Sequence, residues 1–123
     1  MLKKALVFVE GRGEEIKEAS LEVLGLAAQL AEEVVALGVG PYADKASGYA
    51  DRVLKADLGH PMAGPAAKAL AEAAKAESPN VILLAATPFG KEVGPAAGAL
   101  LGVPIMADVI EVSNDLTLTK PLY

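Results

Sequence analysis

Apolar residues in this chain occur in two forms: short unbroken runs, and longer stretches with a polar residue every third or fourth place. The first unbroken run is Ala5-Leu6-Val7-Phe8-Val9. A run without polar alternation predicts a central parallel strand covered on both faces. Gly11 and Gly13 interrupt it, and the spacing then predicts a helix over about residues 16–31. Its polar stripe is Glu18, Glu22, Gly25, Gln29 and Glu32, leaving Ile16, Val23, Ala27 and Leu30 to face inward. A second apolar strand spans residues 34–39 and closes at Gly40-Pro41. A short helix is expected over residues 43–49, and a third strand over residues 52–56, near an edge because charges flank it.

After Gly59-His60-Pro61, an alanine-rich helix is predicted over about residues 63–76, with Pro65 in its first turn and Ser78-Pro79 as its stop. Lys68, Glu72 and Lys75 form one narrow polar line, so most of this helix can pack against a sheet. Val81-Ile82-Leu83-Leu84-Ala85 is the strongest buried-strand pattern in the chain. Thr87-Pro88-Phe89-Gly90 turns it into a further helix ending at Leu101, with Gly102 as a left-handed cap and Pro104 beyond. Glycines at 90, 94, 98 and 102 recur every four residues, which suits close helix packing.

Strands alternating with helices through short loops predict an α/β fold, a doubly wound and mainly parallel sheet with right-handed crossovers. Two alternating segments, residues 108–112 and 116–119, separated by Ser113-Asn114-Asp115, predict a C-terminal β-hairpin. The whole chain, residues 1–123, reads as a single domain. Its end on a strand is expected to mark a fragment of a longer protein.

Composition narrows the function. The chain is 53% hydrophobic, enough for a buried core, and its 11 basic against 16 acidic residues give a net charge of −5. The basic residues are scattered singly apart from Lys3-Lys4, which argues against a nucleic-acid backbone as partner. No cysteine is present, so disulfides, thiolate metal sites and a thiol nucleophile are excluded. No apolar run approaches the roughly 20 residues that span a bilayer, and the apolar stretch after Lys4 is too short for a signal-peptide core. A cytoplasmic protein is the simplest expectation. One Gln and two Asn make few heat-labile side chains, as in proteins of thermophiles.

The candidate chemistry is sparse. Gly11-Arg12-Gly13 follows the first strand, where dinucleotide folds hold a pyrophosphate, yet Ile16 stands where the third glycine should open the helix. Gly90-Lys91 is followed by Glu92, so there is no Walker-type loop. Thr87, Gly90 and Lys91 lie at the carboxyl end of the best strand and before a helix N-terminus. There they can hold an anion or nucleotide, or form a capped turn with Lys91 in solvent. His60 is the only histidine and only Asp57 is close to it, so it is expected to face solvent or cap rather than catalyse. Asp44, Asp51, Asp57 and Asp108 are single carboxylates without a partner in sequence, and no serine sits in a nucleophile elbow. No catalytic residues and no metal ligands are assigned, and a hydrolase is disfavoured.

The order of several segments resembles the α subunit of electron-transfer flavoprotein. They are Leu6-Val7-Phe8-Val9-Glu10 at the start and the stretch from Val81 to Glu92. Pro95, Ala97, Leu100-Leu101-Gly102-Val103-Pro104, Ala107-Asp108-Val109 and Lys120-Pro121-Leu122-Tyr123 follow. The resemblance covers the whole chain and rests on order and spacing more than on any one motif. Two positions depart from it: Ala96 stands where that family usually has Arg, and Ala107 where it commonly has Ser. The resemblance implies a Rossmann-like fold of the adenine nucleotide α-hydrolase type. It also implies an N-terminal domain whose FAD sits mainly on a C-terminal domain beginning past Tyr123. It implies a heterodimer with a β subunit that holds AMP. Electrons would pass from flavin dehydrogenases, typically of acyl-CoA, to a membrane quinone oxidoreductase, with this domain as scaffold and docking surface. The competing expectation is a stand-alone adenine-nucleotide-binding α/β module.

Overall fold

A computed structural model describes residues 2–56, 58, 62–85, 87–102, 109–112 and 119–122. The elements follow in the order β1 (Leu2–Val9), β2 (Gly11–Arg12), β3 (Glu15–Ile16), α1 (Glu18–Leu30) and β4 (Ala31–Gly38). A 3-10 helix (Pro41–Gly48), β5 (Arg52–Lys55), α2 (Ala63–Glu77) and β6 (Val81–Leu84) come next. The last elements are α3 (Pro88–Leu101), β7 (Val109–Val112) and β8 (Thr119–Leu122).

Four strands pair into one parallel sheet in the order β5-β4-β1-β6. β1 is central, with Val7 opposite Ala36 of β4 on one side and Leu83 of β6 on the other. Because successive side chains alternate faces, β1 splits its apolar residues between two cores. Leu6 and Phe8 join Val35, Leu37, Ile82 and Leu84 beneath α2 and α3. Ala5, Val7 and Val9 join Val34, Ala36, Val81 and Leu83 against α1 and the 3-10 helix. Helices on both faces make the sheet doubly wound, as the alternation of elements predicts.

The small residues of α2 and α3 let the helices lie close. Ala66, Ala67, Leu70, Ala71 and Ala74 are the buried face of α2, and Gly90, Val93, Gly94, Ala97 and Gly98 that of α3. α2 ends where Ser78 adopts the left-handed conformation (φ 49°) and returns its amide to the Ala74 carbonyl at 2.8 Å. α3 ends at Gly102 (φ 75°), the left-handed cap the sequence marks.

Three boundaries differ from expectation. Helix α1 begins at Glu18 rather than Ile16, because Gly11 to Ile16 form a small hairpin that reverses at Gly13 (φ 61°). Ile16 and Leu30 are accordingly only half-buried, while Ser20 and Leu24 join Val23 and Ala27 on the inner face. β4 begins at Ala31, three residues before the apolar run, since pairing with β1 extends down to Leu2 opposite Ala31. At the end of the chain β7 and β8 are antiparallel, with Val109 opposite Leu122 and Val112 opposite Thr119. The second strand runs on to Leu122, past the expected end at Thr119, while residues 116–118 of the expected segment lie outside the described residues. Alternation runs on through both segments, so pattern alone leaves the register open.

Candidate functional site

In a sheet of this kind ligands bind outside the carboxyl ends of the strands, where successive crossovers leave in opposite directions. β1 connects through α1 to β4 and then β5 on one side, and the crossover from β5 through α2 returns past it to β6 on the other. The switch point therefore lies between the ends of β1 and β6, and the chain places Glu10 and Thr87 there.

Glu10 follows Val9 without a turn, so it continues the strand direction into the crevice and is only 3% exposed. Its main chain is tied down twice: its amide donates to Ser20 Oγ at 2.8 Å, and its carbonyl accepts from the Lys17 amide at 2.9 Å. Its carboxylate meets two partners from different elements. Thr87 donates its hydroxyl to Glu10 Oε2. Lys17 Nζ stands 3.7 Å from Oε1, an ion pair too long for a hydrogen bond, which leaves Oε1 as a buried acceptor with no donor among the described residues.

Thr87 is also the N-cap of α3, its Oγ1 accepting from the Gly90 amide at 2.9 Å. One hydroxyl thus closes the helix with its lone pair and holds Glu10 with its proton. Gly90 is buried against the preceding loop, where a Cβ would run into the Ala85 carbonyl oxygen. Lys91 lies on the exposed side of the same turn, its amide on the Thr87 carbonyl at 2.8 Å. Of the three residues singled out here by the sequence, Thr87 holds Glu10, Gly90 donates to Thr87 and Lys91 is exposed.

A cleft of about 190 Å³ opens beside Glu10, lined by Glu10, Gly11, Lys17, Tyr42 and Phe89. Tyr42 is buried between Gly11 and Gly40, both of which it approaches too closely for a Cβ. Burial pushes its phenol above the ordinary tyrosine value, a backbone hydrogen bond at Val39 pulls it back, and the Glu10 charge adds to the rise. Phe89 packs on Phe8 with ring centroids 6.1 Å apart. A flavin pyrophosphate does not fit this crevice: a buried carboxylate occupies its floor, and the Gly90 amide at the α3 N-terminus is already capped by Thr87.

Glu10, Lys17 and Tyr42 are the members of this cluster that the sequence did not single out. Their contacts join residues 7 to 77 positions apart and leave no local motif. His60, Asp57 and Asp108 lie outside the described residues. Among the described residues no group of three His, Asp or Glu can hold a metal, and no helix is long and apolar enough to cross a membrane. Asp51 accepts from the Val34 amide at 2.7 Å and Asp44 pairs with Lys55 at 3.5 Å, both away from the crevice.

A family model described as electron transfer flavoprotein domain matches residues 5–123. The electron transfer flavoprotein subunit alpha of Clostridium acetobutylicum is 33% identical over 138 aligned residues, which cover 98% of this chain and 41% of the relative. Protein FixB of Clostridium saccharobutylicum is 33% identical with the same coverage. The mitochondrial electron transfer flavoprotein subunit alpha of Oryza sativa subsp. indica is 30% identical, over 96% of this chain and 37% of the relative. The chain thus spans about two fifths of the length of these curated relatives.

Proposed function

Because this chain belongs to the electron transfer flavoprotein domain family, we propose that it is the N-terminal scaffold and docking domain of an α subunit. In this reading it pairs with a β subunit, and a C-terminal domain beyond residue 123 carries the FAD. AMP, where the complex holds it, sits on the partner. Electrons then travel from flavin dehydrogenases, typically acting on acyl-CoA, to a quinone oxidoreductase. The domain has no catalytic site of its own and works in the cytoplasm.

One observation carries the scaffold role. Where an open α/β sheet offers phosphate-binding amides, this chain places a buried carboxylate held by Thr87 and Lys17. An anion entering there meets a negative charge in a poorly hydrated place, where repulsion is strong. The glycines after β1 serve a two-residue hairpin turn and the seat of Tyr42. The competing nucleotide module needs Thr87, Gly90 and Lys91 to receive phosphate.

Titration calorimetry of the chain with AMP, ATP and FAD at low salt separates the two. No heat from any of them is the expected result. Micromolar binding of AMP or ATP that Lys91→Ala abolishes would instead establish the nucleotide module at that turn.

A further inference from the structure

At the amino ends of the strands, on the α1 face of the sheet, a groove of about 350 Å³ opens between the end of α1 and the end of the 3-10 helix. Ala28, Ala31 and Gly48 line it with small side chains, and a Cβ at Gly48 would meet nothing, so the groove is open there. Tyr49, which follows the 3-10 helix, stands beside it 55% exposed. Every charge on its lining is negative. Glu32 and Asp51 both border it, and neither has an ion-pair partner among the described residues. Asp51 is held in place twice by one residue: its amide donates to the Val34 carbonyl at 2.8 Å, and its Oδ2 accepts from the Val34 amide at 2.7 Å. Its carboxylate is therefore already ordered, with Oδ1 left for an outside donor. The last turn of α1 ends at the same place without a basic residue, so its carbonyls add the negative end of the helix dipole. Arg52, next in the chain, is committed to Glu33 and Glu77, and Lys45 of the 3-10 helix does not line the groove.

We propose that this groove docks an arginine side chain carried by a partner protein. The guanidinium lies over the Tyr49 ring and donates to Glu32 and Asp51, while its aliphatic stem covers Ala28 and Ala31. A lysine ammonium meets the same charges but lacks the planar face that stacks on a ring and the fork that spans two carboxylates. An anion is repelled by both carboxylates and by the helix end. The groove lies at the opposite end of the strands from Glu10, apart from the crevice at the switch point. Nothing in this contact requires a flavin or a β subunit.

Three capped residues test it: N-acetyl-arginine amide, N-acetyl-lysine amide and the uncharged N-acetyl-citrulline amide, each titrated into the 15N-labelled 123-residue chain. The arginine probe is expected to shift the amides of Ala31, Gly48, Tyr49 and Asp51, and to bind at least about threefold more tightly than the other two. Tyr49→Ala, a change at an exposed side chain, should weaken the arginine probe by about threefold. Glu32→Gln combined with Asp51→Asn, which keeps an acceptor for the Val34 amide, should erase the preference for arginine over citrulline. Free L-arginine should bind no more tightly than the capped probe, since the contact uses the side chain alone. The inference is overturned if the arginine probe moves none of these amides, if citrulline or lysine binds as tightly, or if Tyr49→Ala leaves the affinity unchanged. Tighter binding of free L-arginine would also overturn it, because the groove would then hold an amino acid and not a protein side chain.

Discussion

Glu10 gives up most of its water when the chain folds, and side chains from α1 and the α3 cap replace it. Removing Thr87 therefore harms two places at once. Thr87→Val deletes the acceptor for the Gly90 amide and the donor for Glu10, and should cost about 2 to 3 kcal/mol in urea unfolding. Thr87→Ser keeps the hydroxyl and should cost less than about 1 kcal/mol. Equal losses in the two variants would mean that the methyl group, not the hydrogen bonds, matters. Tyr42 offers a second reading of the same spot. Its folded pKa is raised, so the neutral phenol is favoured by the fold, and stability present below pH 10.0 should fall as pH rises past that value. NMR titration of the Tyr42 ring should show it ionising above the ordinary tyrosine value, and Tyr42→Phe should flatten the loss of stability. None of this was legible locally. Glu10 reads as the polar residue that ends a strand, and its partners come from 10 and 77 positions away. The one available sign is that no turn residue separates it from Val9.

At the scale of elements, glycine marks both what is constrained and what is spare. Gly90 sits where a methyl would strike the Ala85 carbonyl, and backbone cannot step aside as a side chain does. Gly90→Ala should cost about 3 kcal/mol. Gly25 lies inside α1 on its exposed face with nothing near a Cβ, so Gly25→Ala should stabilise by about 0.5 to 1 kcal/mol. The amino ends of the strands, opposite the crevice, are held by charge. Glu77 at the end of α2 receives Arg52 of β5 and Lys4 of β1, and Arg52 also reaches Glu33 of β4 at 3.1 Å. The Arg52 hydrogen bond holds the Glu77 carboxyl below its ordinary value, against an opposing push from burial and with help from Lys4. A lowered folded pKa means a contribution present above about pH 4.5 and lost as pH falls further. Glu77→Gln should thus destabilise at pH 7 by no more than about 1 kcal/mol, and by less at pH 3. Apolar runs and helical spacing located every helix and strand of the main sheet, because each turns apolar residues toward one of the two cores. They missed the β2–β3 hairpin, whose two-residue strands are too short for a period, and they started β4 late because Glu32 continues the polar stripe of the preceding helix.

For the molecule as a whole, the order β5-β4-β1-β6 is set by which strands pair, and similar apolar runs leave that open in the sequence. The fold class follows from alternation of elements, whereas strand order and the site at the switch point need the pairing itself. That order makes a prediction about cooperativity. β1 is paired on both sides and lies between both cores, so its amides should open only with global unfolding. Among the described residues β5 is paired on one side only, and charges bound it, so it should exchange through smaller openings. Native-state hydrogen exchange should find Leu6, Val7 and Phe8 slowest and Val53 and Leu54 faster by at least about tenfold. The comparison also probes association, because a free strand edge is a template for another chain. If β5 proves as slow as β1, and dilution speeds it up, its edge is paired with a second copy in solution. If it is slow at every dilution, β5 belongs to the cooperative core, and the charges of Arg52 and Lys55 protect an edge that is already rigid.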